Sequence, residues 1–415
     1  MTDVNDVTEL PVEAVAYADG MTAADLDAIR RFQQIPSDKT YSIAIGRNSP
    51  NVGDRLPSAV ARYREPAADV PKAMTSLKVP PCPADGEILW GPDFGLSEKA
   101  SDDDTAAMKR LLGEAASRRR TTVVLPPRRI VLKEPVTVSG EVTVTAAGIA
   151  LIEAADDCDI FRVESGSRVL LSHLFFRNGR HQLVCEATSD TTVVLDHCFS
   201  FDAADTAFVM TEEKGARLKF LADGGVHYHP RWYEGNANAI LAGAWLRTLP
   251  PKPYGEPFTE SVNVVNRGKL RFQDILGVPC VFSGIPKGSP APAGDYRWID
   301  NIGGELNAVF TRFGAEWGGI PPVYNFAGGK VLIEGSYAYF YPRYTAHAAV
   351  LTDREPAPGD IRLFGISCGM EVQLWYGGAQ VLVRAKPGDE PKPVRSALRR
   401  CLVPKAEPCV GDSIQ

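Results

Sequence analysis

Leu171-Ser172-His173-Leu174-Phe175 returns 24 residues later as Leu195-Asp196-His197-Cys198-Phe199. A period in the twenties, built from short apolar runs and turns, is the mark of a solenoid rather than a closed globule. Such a chain folds by stacking, because no single coil can bury its own apolar face. With 415 residues, 44% hydrophobic and 23% charged, there is material for one long solenoid.

From Val136 onward the coils align by eye. Each reads as an apolar strand, one turn residue, a second apolar strand, a variable turn and a third strand. The middle turn residue falls at His173, His197, Asp274, Asn301 and Gly335. Those residue types are the ones enriched in left-handed backbone. His173 and His197 are therefore expected to be stacked turn residues rather than a catalytic or metal pair. The third strands read Leu183-Val184-Cys185, Ala207-Phe208-Val209-Met210, Ala239-Ile240-Leu241, Cys280-Val281-Phe282, Ala308-Val309-Phe310, Ala349-Val350-Leu351 and Gln373-Leu374-Trp375. They are expected to form one parallel sheet.

Three segments follow. Residues 1–84 are an N-terminal arm or attachment module, with a short helix after Thr22 and then a Pro-, Ser- and Asn-rich stretch of little periodicity. Residues 85–387 hold the coils, and 388–415 form a basic, apolar-poor tail. At the start of the coils, Met108, Leu111, Leu112 and Ala115 repeat at one-sided helical spacing, with Asp102-Asp103-Asp104 before them and Arg118-Arg119-Arg120 after. Capping and the helix dipole account for both charge runs.

Asp93-Phe94-Gly95, then Asp103-Asp104-Thr105-Ala106-Ala107, then Val123-Val124-Leu125-Pro126-Pro127 and a strand repeat resemble the N-terminal cap and first coils of the pectate-lyase-like superfamily. That resemblance implies an all-β, right-handed single-stranded parallel β-helix with an N-terminal capping helix and a small N-terminal extension. The superfamily includes polygalacturonases, polysaccharide lyases, uronate epimerases and phage tailspike depolymerases.

Several classes are disfavoured. A net charge of −6 gives no global basic field for nucleic acid. No run of 18 apolar residues exists to insert in a membrane. The first 20 residues lack the apolar core of a secretory signal, so synthesis in the cytoplasm is expected. No Gly-rich phosphate loop, nucleotide fingerprint, G-x-S-x-G or Cys-x-x-Cys pair occurs. Cys158, Cys185, Cys198, Cys280 and Cys368 read as small buried hydrophobes, while Cys401 and Cys409 lie in the polar tail, where they can bridge chains under oxidation. No cofactor and no metal are expected; His227-x-His229 alone is too weak a signal.

Repeats carry function in their turns. The turn before the third strand reads Asn178-Gly179-Arg180-His181, then Asp202-Ala203-Ala204-Asp205, then, after an eight-residue insertion, Glu234-Gly235-Asn236-Ala237. The first two are in register, which places Asn178 beside Asp202 and His181 beside Asp205. Asp202, Asp205 and Glu234 are candidate acid and base groups for glycoside hydrolysis, which needs two carboxyl groups in different protonation states. Asp202 to Phe208 is loosely similar to the acidic turn of polygalacturonases, whose N-T-D and G-H elements are missing here. A turn of this kind also satisfies its own backbone, which is the competing reading.

The insertion, His227-Tyr228-His229-Pro230-Arg231-Trp232-Tyr233-Glu234, offers aromatic faces and a cation. A lyase needs a base and a neutraliser for the uronate carboxylate; His229 or Tyr233 with Arg231 fits that need, His181 is a further helper of the carboxylates, and Arg180 is a candidate substrate contact. Trp232, Arg312, Glu316 and Trp317 complete the candidate substrate contacts, and Tyr337, Tyr339 and Tyr341 suit a sugar platform or a subunit interface equally. The expected function is binding, with depolymerisation, of a bacterial surface polysaccharide by hydrolysis or elimination. The missing signal, separate arm and odd tail resemble a phage tailspike, which implies a homotrimer in a virion tail, attached through residues 1–84. A non-catalytic receptor-binding spike and a bacterial uronate lyase or epimerase stay open.

Overall fold

The structure is a computed structural model. It describes residues 86–248 apart from 98 and 100, and between 261 and 393 it leaves out 274, 279–295, 310–311, 316–322, 335–336, 341–347, 358, 365–366, 371–372, 377–379 and 384–391. The arm, most of the tail and the side chains of Arg312, Glu316, Trp317, Tyr337, Tyr339, Tyr341, Cys280, Cys368, Cys401 and Cys409 lie outside the described residues.

Among the described residues the chain winds through three sheets of 11 strands each, and the pairing within them is parallel until the last strands. We number the sheets in the order each coil visits them. One coil runs Arg168–Ser172 in the first sheet, Phe175–Asn178 in the second and Leu183–Ala187 in the third; the next runs Thr191–Asp196, Phe199–Phe201 and Thr206–Glu212. Leu171 pairs with Leu195, Phe175 with Phe199 and Leu183 with Phe208, so the 24-residue recurrence is one turn of a parallel β-helix.

The interior is a stack of rows, one residue per coil. In the first sheet the row is Val123, Val144, Leu171, Leu195, Ala222, Leu241, Phe272, Ala308 and Ile333, all at most 2% exposed. In the third it is Phe161, Leu183, Phe208, Tyr233, Val264, Ile299, Val323 and Val350. Each large apolar side chain so buried contributes about 1.5 to 3 kcal/mol of transfer free energy. Helix α1, Thr105–Ser117, packs Met108, Leu111, Leu112 and Ala115 into this core at the first coil. Asp104 does not cap it by side chain; its carboxylate accepts both guanidinium N–H groups of the buried Arg128 at 2.8 Å. Asp103 instead accepts from Thr105 N–H at 3.0 Å.

Four third-strand assignments differ from this topology or fall outside it. Ala239-Ile240-Leu241 and Ala308-Val309 belong to the first sheet. Gln373-Leu374-Trp375 lies in an antiparallel hairpin that ends the second sheet. Cys280-Val281-Phe282 is outside the described residues. Alternating apolar residues look alike on all three sheets, so strand identity depends on counting coil closures.

Asn301 is likewise not a middle turn residue. It sits at the end of the third-sheet strand Tyr296–Ile302. There its side chain accepts from Asn266 Nδ2 at 2.7 Å and donates to Asn325 Oδ1 at 2.7 Å. This buried amide row runs beside Gly304, where an added Cβ would lie 2.7 Å from Asn266 Nδ2 and 2.9 Å from Asn301 Oδ1. The column thus carries its own polar seam, satisfied coil to coil.

Candidate functional site

Each coil has a corner between the first and second sheets and another between the second and third. From Arg168 to Thr248 the first corner holds two residues in every coil. His173 and His197 occupy it with φ of 57° and 48°, their rings stacked at 5.6 Å and 9° from parallel. Asp196, at the end of its strand, binds both: Oδ1 is 2.6 Å from His197 Nδ1, and Oδ2 accepts from Ser172 Oγ, itself 2.7 Å from His173 Nδ1. The His197 hydrogen bond holds the Asp196 carboxyl below its ordinary value. Burial lowers the His173 imidazole.

The second corner carries the predicted carboxylates. Asn178 and Asp202 take φ of 56° and 58° at equivalent points, and Ala204 and Asp205 donate their N–H groups to Gly179 and Arg180. The register therefore sets Arg180, not His181, beside Asp205. His181 lies next to Thr206, whose carbonyl is 2.8 Å from His181 Nδ1. A carbonyl only accepts, so Nδ1 carries the proton and Nε2 is the basic nitrogen.

In the following coil this corner shrinks to one residue, Pro230, between Val226–His229 and Arg231–Gly235. The residues expected to form an insertion are strands instead. His227 pairs with Ser200 in the second sheet, and Glu234 pairs with Val209 in the third, so Glu234 is a strand residue and does not follow Asp202 in a turn. Five of the residues expected at the surface, His227, Tyr228, His229, Trp232 and Tyr233, are buried. Trp232 packs edge-on against Trp298, and Tyr233 stacks on Phe220 inside the column. Burial pushes the Tyr233 hydroxyl up.

His227 and His229 flank Ser200 in the core. Ala203 N–H donates to His229 Nδ1 at 3.2 Å, His229 Nε2–H donates to Ser200 Oγ at 2.8 Å, and the Ser200 hydroxyl donates to His227 Nδ1 at 2.6 Å. Both ring nitrogens of His229 are thereby committed, which takes it out of base catalysis. Burial brings His227 down to about 3. Cys185 and Cys198 are also interior, their thiols pushed up to about 12 by burial.

What remains outward at the second corner is a lattice of arginines and carboxylates. Arg231 Nη1 reaches Glu234 Oε2 at 3.0 Å and Asp205 Oδ1 at 3.9 Å, and Arg267 Nη1 reaches Glu234 Oε1 at 2.9 Å. The Asp205 side chain is 55% exposed, against 29% for Glu234. Arg180 and Arg162 hold Asp159, which is fully buried. Burial works to raise the Asp159 carboxyl, but the hydrogen bonds from the two guanidinium groups outweigh it and the net shift is downward. Asp159, Arg162 and Arg267 escaped the sequence reading; their signal is position, one coil before Arg180 and one after Glu234. A cavity of about 200 Å³ lies elsewhere, on the outward face of the first sheet beside Thr143, Arg168, Leu170 and Val194.

No protein-family model and no curated protein matches this chain. Among solved structures, the A-module of the Azotobacter vinelandii mannuronan C-5 epimerase AlgE4 is similar at 12% identity and a TM-score of 0.36, covering 73% of this chain and 98% of that one. Tailspike protein 3 of bacteriophage CBA120 is similar at 10% identity and a TM-score of 0.30, covering 74% of this chain and 62% of that one.

Proposed function

We propose that this chain is a carbohydrate-active β-helix that binds an acidic polysaccharide across the second corner and cleaves it by elimination. The observation that carries this is Arg231, set between Asp205 and Glu234, two coils from a histidine whose Nδ1–H is tied to a backbone carbonyl. His181 Nε2 takes the proton α to the uronate carboxylate. The bond to the leaving oxygen breaks as the ring double bond forms, and that oxygen takes a proton from Asp205 or water. Arg231, with Arg180 two coils before it, neutralises the uronate carboxylate, which makes the α-proton easier to remove.

Hydrolysis is the second reading, favoured by Asp205 and Glu234 sharing one guanidinium nitrogen. That spacing is compatible with the carboxyl separation of roughly 5 to 10 Å that glycosidases use. Against it, both Glu234 oxygens accept from arginines, so Asp205 alone is left to act as the acid. The virion-tail placement and the homotrimer belong to the same proposal, and sedimentation of the full chain tests the trimer.

Digestion of a panel of acidic and neutral bacterial polysaccharides tests the reading. Ultraviolet-absorbing unsaturated ends from acidic polymers support elimination. New reducing ends without that absorbance replace it by hydrolysis, and binding without cleavage replaces it by a receptor-binding spike.

A further inference from the structure

The first corner has chemistry that the proposed function does not use. Ligand atoms of His173, Asp196 and His197 lie within 4.8 Å of one another. Both imidazole Nδ1 atoms are drawn to the Asp196 carboxylate, one directly and one through Ser172. All three side chains keep access to solvent, at 35%, 36% and 47% exposed for His173, Asp196 and His197.

Two further features point to a cation. Asp196 stands directly opposite Asp223 in the parallel ladder, an arrangement that is unfavourable for like charges. And the left-handed corner is filled by Gly224-Gly225 and Gly243 in the next two coils, yet by histidine in both of these. Glycine takes that backbone without strain, and histidine takes it at a cost. Gly224 also bears on the His197 ring, since a Cβ there would lie 2.9 Å from His197 Cδ2.

We propose that His173, Asp196 and His197 bind one divalent transition-metal ion, of the zinc, nickel or cobalt kind. The ion sits where the hydrogen-bonding protons of the cluster now lie, each imidazole keeping its remaining proton on Nε2. Two imidazoles and one carboxylate favour these metals over calcium or magnesium. Three protein ligands leave a position for water.

Cobalt(II) titration of the full chain tests this, because bound cobalt shows visible d–d absorption. The expected result is bands that saturate at one equivalent and vanish when zinc is added. Asparagine tolerates left-handed backbone, so the double variant His173→Asn, His197→Asn keeps the fold by circular dichroism and loses the bands. Asp196→Asn weakens binding at least tenfold. Absence of bands in the wild type, or identical bands in the folded double variant, overturns the site.

Discussion

The two corners of the β-helix are built by the same repeat and behave differently. The first keeps two residues from coil to coil between Arg168 and Thr248, so like residues stack: His173 on His197, Ser172 beside Asp196 beside Asp223. The second has four residues from Gly179 to Gln182, four again at Asp202–Asp205, and then Pro230 alone. A constant corner propagates register and builds rows. A variable corner shifts it, and brings residues of different type together, as at Arg231, Asp205 and Glu234.

The largest stability effect expected is with pH, and it belongs to the strand Val226–His229 that leads into the shortened second corner. His227 has a folded-state value of about 3, below the ordinary 6.5. Above pH 6.5 both folded and unfolded chains hold it neutral, and its contribution is complete. Below that the unfolded chain takes up a proton that the folded chain refuses, and stability falls until about pH 3, by as much as about 5 kcal/mol. Urea unfolding at pH 7 and 4.5 reads this directly, and His227→Gln should flatten the difference.

Next comes a contrast between adjacent residues. Trp232→Ala, inside the column, should cost about 3 to 5 kcal/mol of stability. Arg231→Ala, one residue before it and outward, should cost less than about 1 kcal/mol while lowering cleavage. Similar losses of stability would mean that Arg231 is structural and would break the contrast. At the first corner the effects are smaller. His197→Val puts a β-branched residue at φ 48° and should cost about 1 to 3 kcal/mol, whereas His197→Asn should stay within about 0.5 kcal/mol. Thermal unfolding of the pair shows whether backbone conformation sets that corner.

The constant corner is also the part that could be read from sequence. The 24-residue spacing identifies the solenoid and His173 and His197 as stacked turn residues; at the second corner it reaches only as far as Asn178 beside Asp202. The variable corner defeated the reading. His227, Tyr228 and His229 look like a polar insertion because nothing in their types reveals that Ser200 bonds both imidazoles in the core. Reading that strand as a loop makes Glu234 a turn residue and Ala239-Ile240-Leu241 a third strand, whereas Glu234 sits in a strand of the third sheet and Ala239-Ile240-Leu241 in one of the first. Asn301 misled for a related reason: an amide that suits a left-handed turn also suits a buried amide row, and only pairing with Asn266 and Asn325 separates the two.

One measurement tests most directly that the second corner, rather than the first, carries the chemistry on polysaccharide. It compares one histidine from each, His181→Gln and His197→Asn, for release of unsaturated ends from an acidic polysaccharide that the wild type cleaves. The account predicts a loss of roughly 100-fold or more for His181→Gln, the scale of a lost general base, and near wild-type rates for His197→Asn. The reverse pattern would contradict it and move the active site to Asp196 and its two histidines.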